Sequence, residues 1–434
     1  MPTSPDRSDK YHVASIDAIR AEFPALTRRH EGFPVAYFDG PGGTQVPRIV
    51  VEAMTEYLLQ HNANTHWAFP TSAETDAAIA NSRQVLADFL GGRPDEIVFG
   101  PNMTTLTYRV SRAIGRRLTQ GDAVIVTELD HHANIDPWRA LERERGIVIR
   151  QARMIPETGQ LDWDDLDRCL NQHRTKVLAI GAASNALGTI NDTARAVANA
   201  HEAGALAYID AVHLAPHQLI DVGSCGCDFL VCSAYKFHGP HLGVLWGKRE
   251  LLQSLDVTKL RPAPDTCPER METGTQNHEG IVGAAAAVEF LAGLAKEVEQ
   301  ADLTGRSDSP NTRRRQRLSA VFQVLEERGQ RLLEQLWNGL NSISGVRLFG
   351  PSPSAPRTPT VSLVVEGSPA AEVASRLGRR GIFASHGNFY AQTVAERLGH
   401  GRDGLLRLGC ACYTTLEEVD RVVDALRAIA RGQD

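Results

Sequence analysis

ALAYIDAV (205–212) and, after residues 213–227, DFLVCSAYKFHGP (228–240) decide the reading of the fold. In each, a run of consecutive apolar positions stops at polar residues, Asp210 in the first and Ser233 to Lys236 in the second. Runs that are apolar on successive positions suit strands buried on both faces, the condition of a parallel sheet covered by helices. DEIVFG (95–100), DAVIVTELD (122–130) and KVLAIGAAS (176–184) repeat the pattern, with helical stretches such as 191–203 as crossovers. The fold expected is α/β, a doubly wound and mostly parallel sheet, with its ligand crevice outside the carboxyl ends of the strands. His131, Asn185, Asp210 and Lys236 each follow a strand-like run, so the sequence nominates one shared site.

The large domain is expected over 36–295, and a small α+β domain over 1–35 and 296–434. In the latter, VRLFG (346–350), TVSLVVEG (360–367) and LLRLGCACY (405–413) read as strands between helices. ADLTGRSDSPNTRRRQRL (301–318) interrupts the pattern and reads as an exposed insertion. Its triplet Arg313 to Arg315 suits a solvated loop or helix start better than a contact for an acidic partner. With 434 residues, 42% of them hydrophobic and 23% charged, the chain has apolar mass for two cores. A net charge of −6 gives no global positive field, so neither nucleic acid nor a membrane surface is an expected partner. No apolar stretch reaches spanning length, and the first 26 residues lack the basic start, apolar run and cleavage site of a secretory signal. Seven cysteines do not read as a disulfide framework and point to a reducing cytoplasm. Cys225-Gly226-Cys227 and Cys410-Ala411-Cys412 are spaced too closely for zinc knuckles, and no metal site is expected.

A lysine directly after a buried strand needs a partner or a task, because burying an ammonium is costly. Partial desolvation lowers its pKa and frees the amine to form an imine with an aldehyde cofactor. A surface lysine in a loop is the plain alternative for Lys236 taken alone; its company favours the chemistry. Asp210 is placed to hydrogen-bond a protonated pyridine nitrogen, or else simply caps its strand. His131, in ELDHHAN (128–134), offers a flat ring for stacking, or else is a solvated loop histidine. Asn185, in ASNALG (183–188), can donate to a cofactor or substrate oxygen, or else forms a turn.

From Tyr37-Phe38-Asp39 to the final helix, these ordered motifs resemble the fold-type I pyridoxal-phosphate enzymes. Within them they resemble the class V aminotransferase group, which includes cysteine desulfurases, kynureninase, isopenicillin N epimerase and several C–S lyases. The resemblance implies pyridoxal 5'-phosphate held as a Schiff base on Lys236, Asp210 on the pyridine nitrogen, His131 stacked on the ring, and Asn185 near the phenolic oxygen and substrate carboxylate. GPNMTT (100–105) matches the phosphate loop, with Thr104 and Thr105 as ligands, Ser233 adding a hydroxyl, and amides opening a helix toward the dianion. METGT (271–275) resembles the segment whose Thr275 reaches the phosphate of a neighbouring subunit, which implies a homodimer. Arg407, in LLRLG (405–409), matches the arginine that grips the substrate carboxylate. DGPGGT (39–44) lacks dinucleotide spacing and is placed by the resemblance at the mouth of the site, where Gly42 and Gly43 allow substrate close to the backbone.

Two cofactor positions depart from the better-known desulfurases, which carry glutamine and histidine where this chain has His213 and Tyr235. Histidine can still donate to the phenolic oxygen and tyrosine can still reach phosphate, so cofactor binding is expected to be retuned. Desulfurases also carry a nucleophilic cysteine in a loop that here reads FASHGNFYA (383–391), without one. Cys410 and Cys412 read as strand-core residues rather than substitutes for it. The leading expectation is therefore a desulfurase-like C–S lyase that eliminates the β-substituent of cysteine or an S-substituted cysteine. Lys236 would be the base, and His386 and Tyr390 candidate acids for the leaving group. An aminotransferase or an amino-acid epimerase is the nearer alternative, and a non-catalytic cofactor-binding protein the more distant one.

Overall fold

The computed structural model describes residues 10–172, 174–298 and 310–433. Its centre is a seven-stranded sheet of β1 (Ile97–Gly100), β2 (Ala123–Thr127), β3 (Val148–Ala152), β4 (Thr175–Gly181), β5 (Leu206–Asp210), β6 (Phe229–Ser233) and β7 (Gly243–Gly247). The order is β1-β7-β6-β5-β4-β2-β3, and neighbours are parallel except where β7 meets β6 and β1. A strand sends successive side chains to opposite faces. Accordingly Leu178 and Ile180 enter one core with Ile125, Ile209 and Leu230, whereas Val177 and Ala179 enter the other with Val124, Val126 and Tyr208. Each large side chain buried this way contributes about 1.5–3 kcal/mol. Helices Pro70–Leu90 and His278–Gly293 cover the first face; Met103–Gly115 and Asp136–Arg145 cover the second.

The register sets the strand ends side by side. Gly100 pairs with Gly243, Gly243 with Ser233, and Asp210 with Val231 and Gly181. Whatever follows β1, β4, β5 and β6 therefore meets at one edge. A second sheet, of β8 (Val346–Phe349), β9 (Thr360–Val365), β10 (Ser385–Gly387) and β11 (Leu405–Gly409), is antiparallel throughout in the order β8-β9-β11-β10.

The boundaries expected at 35/36 and 295/296 divide the cores differently from the structure. Ile19 and Phe23 lie in the large core, and Tyr11–Val13 pairs with Ala295–Glu297. Ala36 and Phe38 lie in the small core, where Ala36–Tyr37 runs parallel to Ile382–Phe383. An isolated apolar residue carries no mark of which core it will join, so the sequence could not sort these. Of the insertion expected at 301–318, residues 301–309 lie outside the described residues, as do residues 1–9 of the N-terminal stretch. The remainder opens the helix Pro310–Asn341 instead of an exposed insertion. Arg314 pairs with Asp88 and, at 2.8 Å, with Glu289, while Arg315 donates to the carbonyls of Asp88 (3.0 Å) and Phe89 (2.8 Å). Leu318, Val321 and Phe322 of that helix enter the large core, and Leu332, Leu336 and Leu340 the small one, so one element joins both.

A buried ion pair fixes the strand β1 end against the 269–276 segment. Arg83 forks onto both carboxylate oxygens of Glu272 at 2.8 Å and donates to the Ile97 carbonyl, while Glu272 accepts the Phe99 N–H. Removing one member of such a pair strands the other charge, so Arg83→Ala is expected to cost about 3–5 kcal/mol. Urea unfolding measures it, and a loss under about 1 kcal/mol would show the pair to be solvated.

Candidate active site

A cavity of about 630 Å³ opens outside the strand ends and is lined from both sheets' connections. That is ample for a cofactor with a small substrate. Lys236 closes the turn after β6 and is 8% exposed. Its ammonium donates to the carbonyls of Pro41 and Gly42 (3.0 Å to the latter) and lies 4.8 Å from the Tyr235 ring centroid. Burial, and next the nearby Arg407, bring its pKa down to about 7. Near neutral pH a substantial share of this amine is therefore an unprotonated nucleophile.

Asp210 ends β5, is buried, and accepts the Val212 N–H at 2.9 Å; burial pushes it up to about 6. Asp130, buried beside it, accepts the amides of Thr127 (2.9 Å) and Gly181, and burial raises it to about 7. Asp210 on the cavity wall, with Asp130 behind it, makes that wall a place that favours a cation. His131 accepts the Ala133 N–H on Nδ1 at 3.0 Å, and burial lowers it to about 4, so its ring is neutral at pH 7. His213 is buried with Nε2 3.0 Å from the Thr358 hydroxyl and 3.2 Å from that of Thr360, and burial holds it well below its ordinary pKa. Asn185 donates from Nδ2 to the Phe389 carbonyl at 2.9 Å, while its buried Oδ1 has no partner among the described residues.

Arg407 reaches the cavity from β11 and is 3% exposed. It donates to the Asn185 carbonyl (2.9 Å), the Ser385 hydroxyl (3.2 Å) and Asp39 (3.4 Å), and it covers the Phe389 ring at 4.2 Å. Burial lowers its pKa to about 10, which still leaves it charged at neutral pH. At the opposite wall, Asn102 caps the helix Met103–Gly115 by accepting the Thr105 N–H (2.9 Å) and hydroxyl (3.1 Å), and the Met103 N–H donates to Ser233. First-turn amides have no intrahelical acceptors, which leaves that of Thr104 for a bound group. The turn lies so close to β7 that a Cβ on Gly243 would sit 2.5 Å from the Asn102 carbonyl carbon.

The cavity mouth is shaped by Asn388–Tyr390. Phe389 and Tyr390 are left-handed (φ +55° and +57°), which costs side-chain-bearing residues about 1–2 kcal/mol each. Their contacts hold them there: Asn185 and Arg407 on Phe389, the His132 N–H on the Tyr390 carbonyl (2.7 Å), and the Tyr390 ring stacked on His131 at 5.5 Å.

Lys236, His131, Asn185, Asp210, His213, Ser233, Tyr235, Thr104, Gly42, Arg407 and Tyr390 thus come together at this cavity. The others do not. His386 lies exposed on edge strand β10, because strand alternation turns it away while Ser385 faces Arg407. The Thr105 hydroxyl is taken by its own cap, and Gly43 lies beside Tyr235 outside the cavity wall. Thr275 is exposed and borders a second cavity of about 820 Å³. None of the seven cysteines lines the main cavity; Cys410 and Cys412 border a separate small one, and burial raises both to about 12. Sequence reasoning missed Tyr108, His132, Asp136 and Phe389, which do line the main one. The doublet His131-His132 with an aspartate four residues on was the available signal: His132 Nδ1 lies 3.1 Å from Asp136 Oδ2.

The family profile described as aminotransferase class-V matches residues 36–306 and 318–422. A cysteine desulfurase of Pectobacterium carotovorum is 32% identical over 432 residues, covering 96% of this chain and 98% of its own. A probable cysteine desulfurase of Xylella fastidiosa is 30% identical, covering 99% and 97%. Among solved structures, the apo cysteine desulfurase of Thermococcus onnurineus superposes with a TM-score of 0.84 at 26% identity over 96% of this chain and 98% of its own. The cysteine desulfurase CsdA of Escherichia coli gives 0.81 at 26%, covering 98% and 100%.

The buried amine makes stability depend on pH. Between about 7 and 10.5 the unfolded lysine holds a proton that folded Lys236 has released. The unfolded state then binds more protons, so folded stability rises with pH, by at most about 1.4 kcal/mol per unit from this group. Ligand-free Lys236→Met is expected to melt higher than ligand-free wild type at pH 7 and to show a shallower rise toward pH 10. Parallel pH profiles for the two proteins would contradict the depressed pKa.

Proposed function

The chain belongs to the aminotransferase class-V family, and from that membership we propose that it is a pyridoxal 5'-phosphate enzyme cleaving a C–S bond by β-elimination from cysteine or an S-substituted cysteine. The residues fit that cofactor. Among the described residues the Lys236 amine hydrogen-bonds to carbonyls alone, Asp210 is a buried carboxyl that a protonated pyridine nitrogen would complement, and the buried Oδ1 of Asn185 has no partner. The neutral ring of His131 offers a stacking face, and the helix amide at Thr104 with the hydroxyls of Thr104 and Ser233 suits a phosphate dianion. His213 and Tyr235 lie where they would tune it. Bound there, pyridoxal 5'-phosphate supplies an electron sink that weakens the bonds at an amino acid's α-carbon.

The chain's own groups do the rest. Arg407 grips the substrate carboxylate, and Gly42 lets the substrate lie against backbone. Lys236, neutral once displaced by the substrate amine, takes the α-proton. The sulfur then leaves with the electron pair of the Cβ–S bond and gains a proton, and the three-carbon remainder hydrolyses to pyruvate and ammonium.

One observation carries elimination over sulfur transfer. The relatives are named cysteine desulfurases, and a thiol that accepts sulfur must stand where the substrate lies. All seven cysteines lie off this cavity wall. We also infer a homodimer: Val51, Leu58, Leu59, Trp67, Phe69 and Leu260 are exposed, and Thr275 borders a cavity beside Leu260 that a second copy would close. Seven free thiols favour a reducing, cytoplasmic setting.

With pyridoxal 5'-phosphate, wild type is expected to show a visible absorption band that Lys236→Ala lacks, and to release thiol and pyruvate in equal amounts from an S-alkyl cysteine. Transfer of the amino group to a keto acid with neither product released would refute elimination. Arg407→Ala is expected to lower kcat/KM by about 10- to 150-fold, the worth of a charged hydrogen bond of about 1.5–3 kcal/mol, while keeping the band. Unchanged kcat/KM would remove Arg407 from substrate binding.

A further inference from the structure

His132 and Asp136 stand on the cavity wall and have no part in the reaction as derived so far. Asp136 opens the helix Asp136–Arg145, one turn beyond His132, and its Oδ2 lies 3.1 Å from Nδ1 of the imidazole. A carboxylate on Nδ1 keeps a proton there and fixes the ring plane, so proton exchange with anything else falls to Nε2. That Nε2 is buried and has no hydrogen-bond partner among the described residues. A buried polar atom without a partner is costly, and a substrate group seated against His132 would relieve that cost. The backbone of His132 is fixed as well, by its main-chain N–H donating to the Tyr390 carbonyl at the cavity mouth. Lys236, Asp210, Asn185 and Arg407 are committed to the α-carbon, cofactor and carboxylate; the leaving group has no assigned partner, and His386 lies outside the cavity.

Building on the elimination reading above, we propose that His132, oriented by Asp136, is the general acid that protonates the departing β-substituent. The Cα–H proton goes to Lys236, its electron pair forms the Cα–Cβ double bond, and the Cβ–S pair leaves on sulfur. The proton on Nε2 moves to that sulfur, the product is a neutral thiol, and solvent reprotonates the imidazole. No oxidant or reductant enters. The role also names a substrate class: one whose leaving group is too basic to depart as an anion, such as an alkyl thiolate.

The test compares two leaving groups in the holoenzyme. An S-alkyl cysteine needs a proton at sulfur, whereas β-chloroalanine expels chloride and needs none. His132→Asn is expected to slow thiol release at least about 100-fold yet to keep chloride release, α-hydrogen exchange in deuterium oxide and the cofactor band within about threefold. Asp136→Asn is expected to show the same selectivity at about tenfold, and it carries the test if His132→Asn fails to fold. Equal loss for both substrates, or no loss for the S-alkyl cysteine, overturns the role of His132 while elimination stands. The selective loss appearing in Tyr390→Phe and not in His132→Asn transfers the role to Tyr390. A wild type that exchanges the α-hydrogen but releases neither leaving group overturns the elimination reading and this inference together.

Discussion

An amine stripped of water must find partners or lose its proton, and among the described residues the hydrogen bonds of the Lys236 amine go to the carbonyls of Pro41 and Gly42. The rest of the site depends on that placement. The fold carries the cost by packing β6 in the interior of the sheet between β7 and β5, so that the turn bearing Lys236 is anchored by a fully buried strand. Asp39 and Asp210 favour the charged amine from a distance, while burial and Arg407 disfavour it, and the balance lies near neutrality. Such a balance suits a group that must both bond to a carbonyl carbon and move a proton.

The opposite charges are arranged with equal economy. Asp210 and Asp130 sit buried behind the strand ends, and Arg407 comes across from the small sheet. Because Arg407 bonds to the Asn185 carbonyl, covers Phe389 and reaches Asp39, the small sheet and the large one share a wall of the cavity. The left-handed pair Phe389 and Tyr390 is strained backbone at that junction, the kind of local cost that binding sites retain.

Strands buried on both faces announced themselves as apolar runs, which is why β1, β2, β4, β5 and β6 and the residues after them were legible. β3 was not, because it is a sheet edge whose Arg150 and Gln151 are half-buried, and β7 was not, because glycines bound it, Gly243 letting the 101–104 turn approach and Gly247 packing on Leu252 and Phe229. His386 looked like a site residue because sequence distance cannot say that β10 is a strand, nor which way its side chains alternate. His132 was given no role because its hydrogen bond to Asp136 is visible only once the helix is built. The Arg313 to Arg315 triplet does lie at a helix start, as expected, but its burial against Asp88 was not legible because that partner lies more than 200 residues away in sequence.

The central claim is that Lys236 is the residue that joins the cofactor. The direct measurement is borohydride reduction of the protein incubated with pyridoxal 5'-phosphate, followed by peptide mass mapping. A phosphopyridoxyl group on the peptide containing Lys236, and unmodified Lys236 when reduction is omitted, is the expected result. A label confined to other lysines, or none at all, would contradict it.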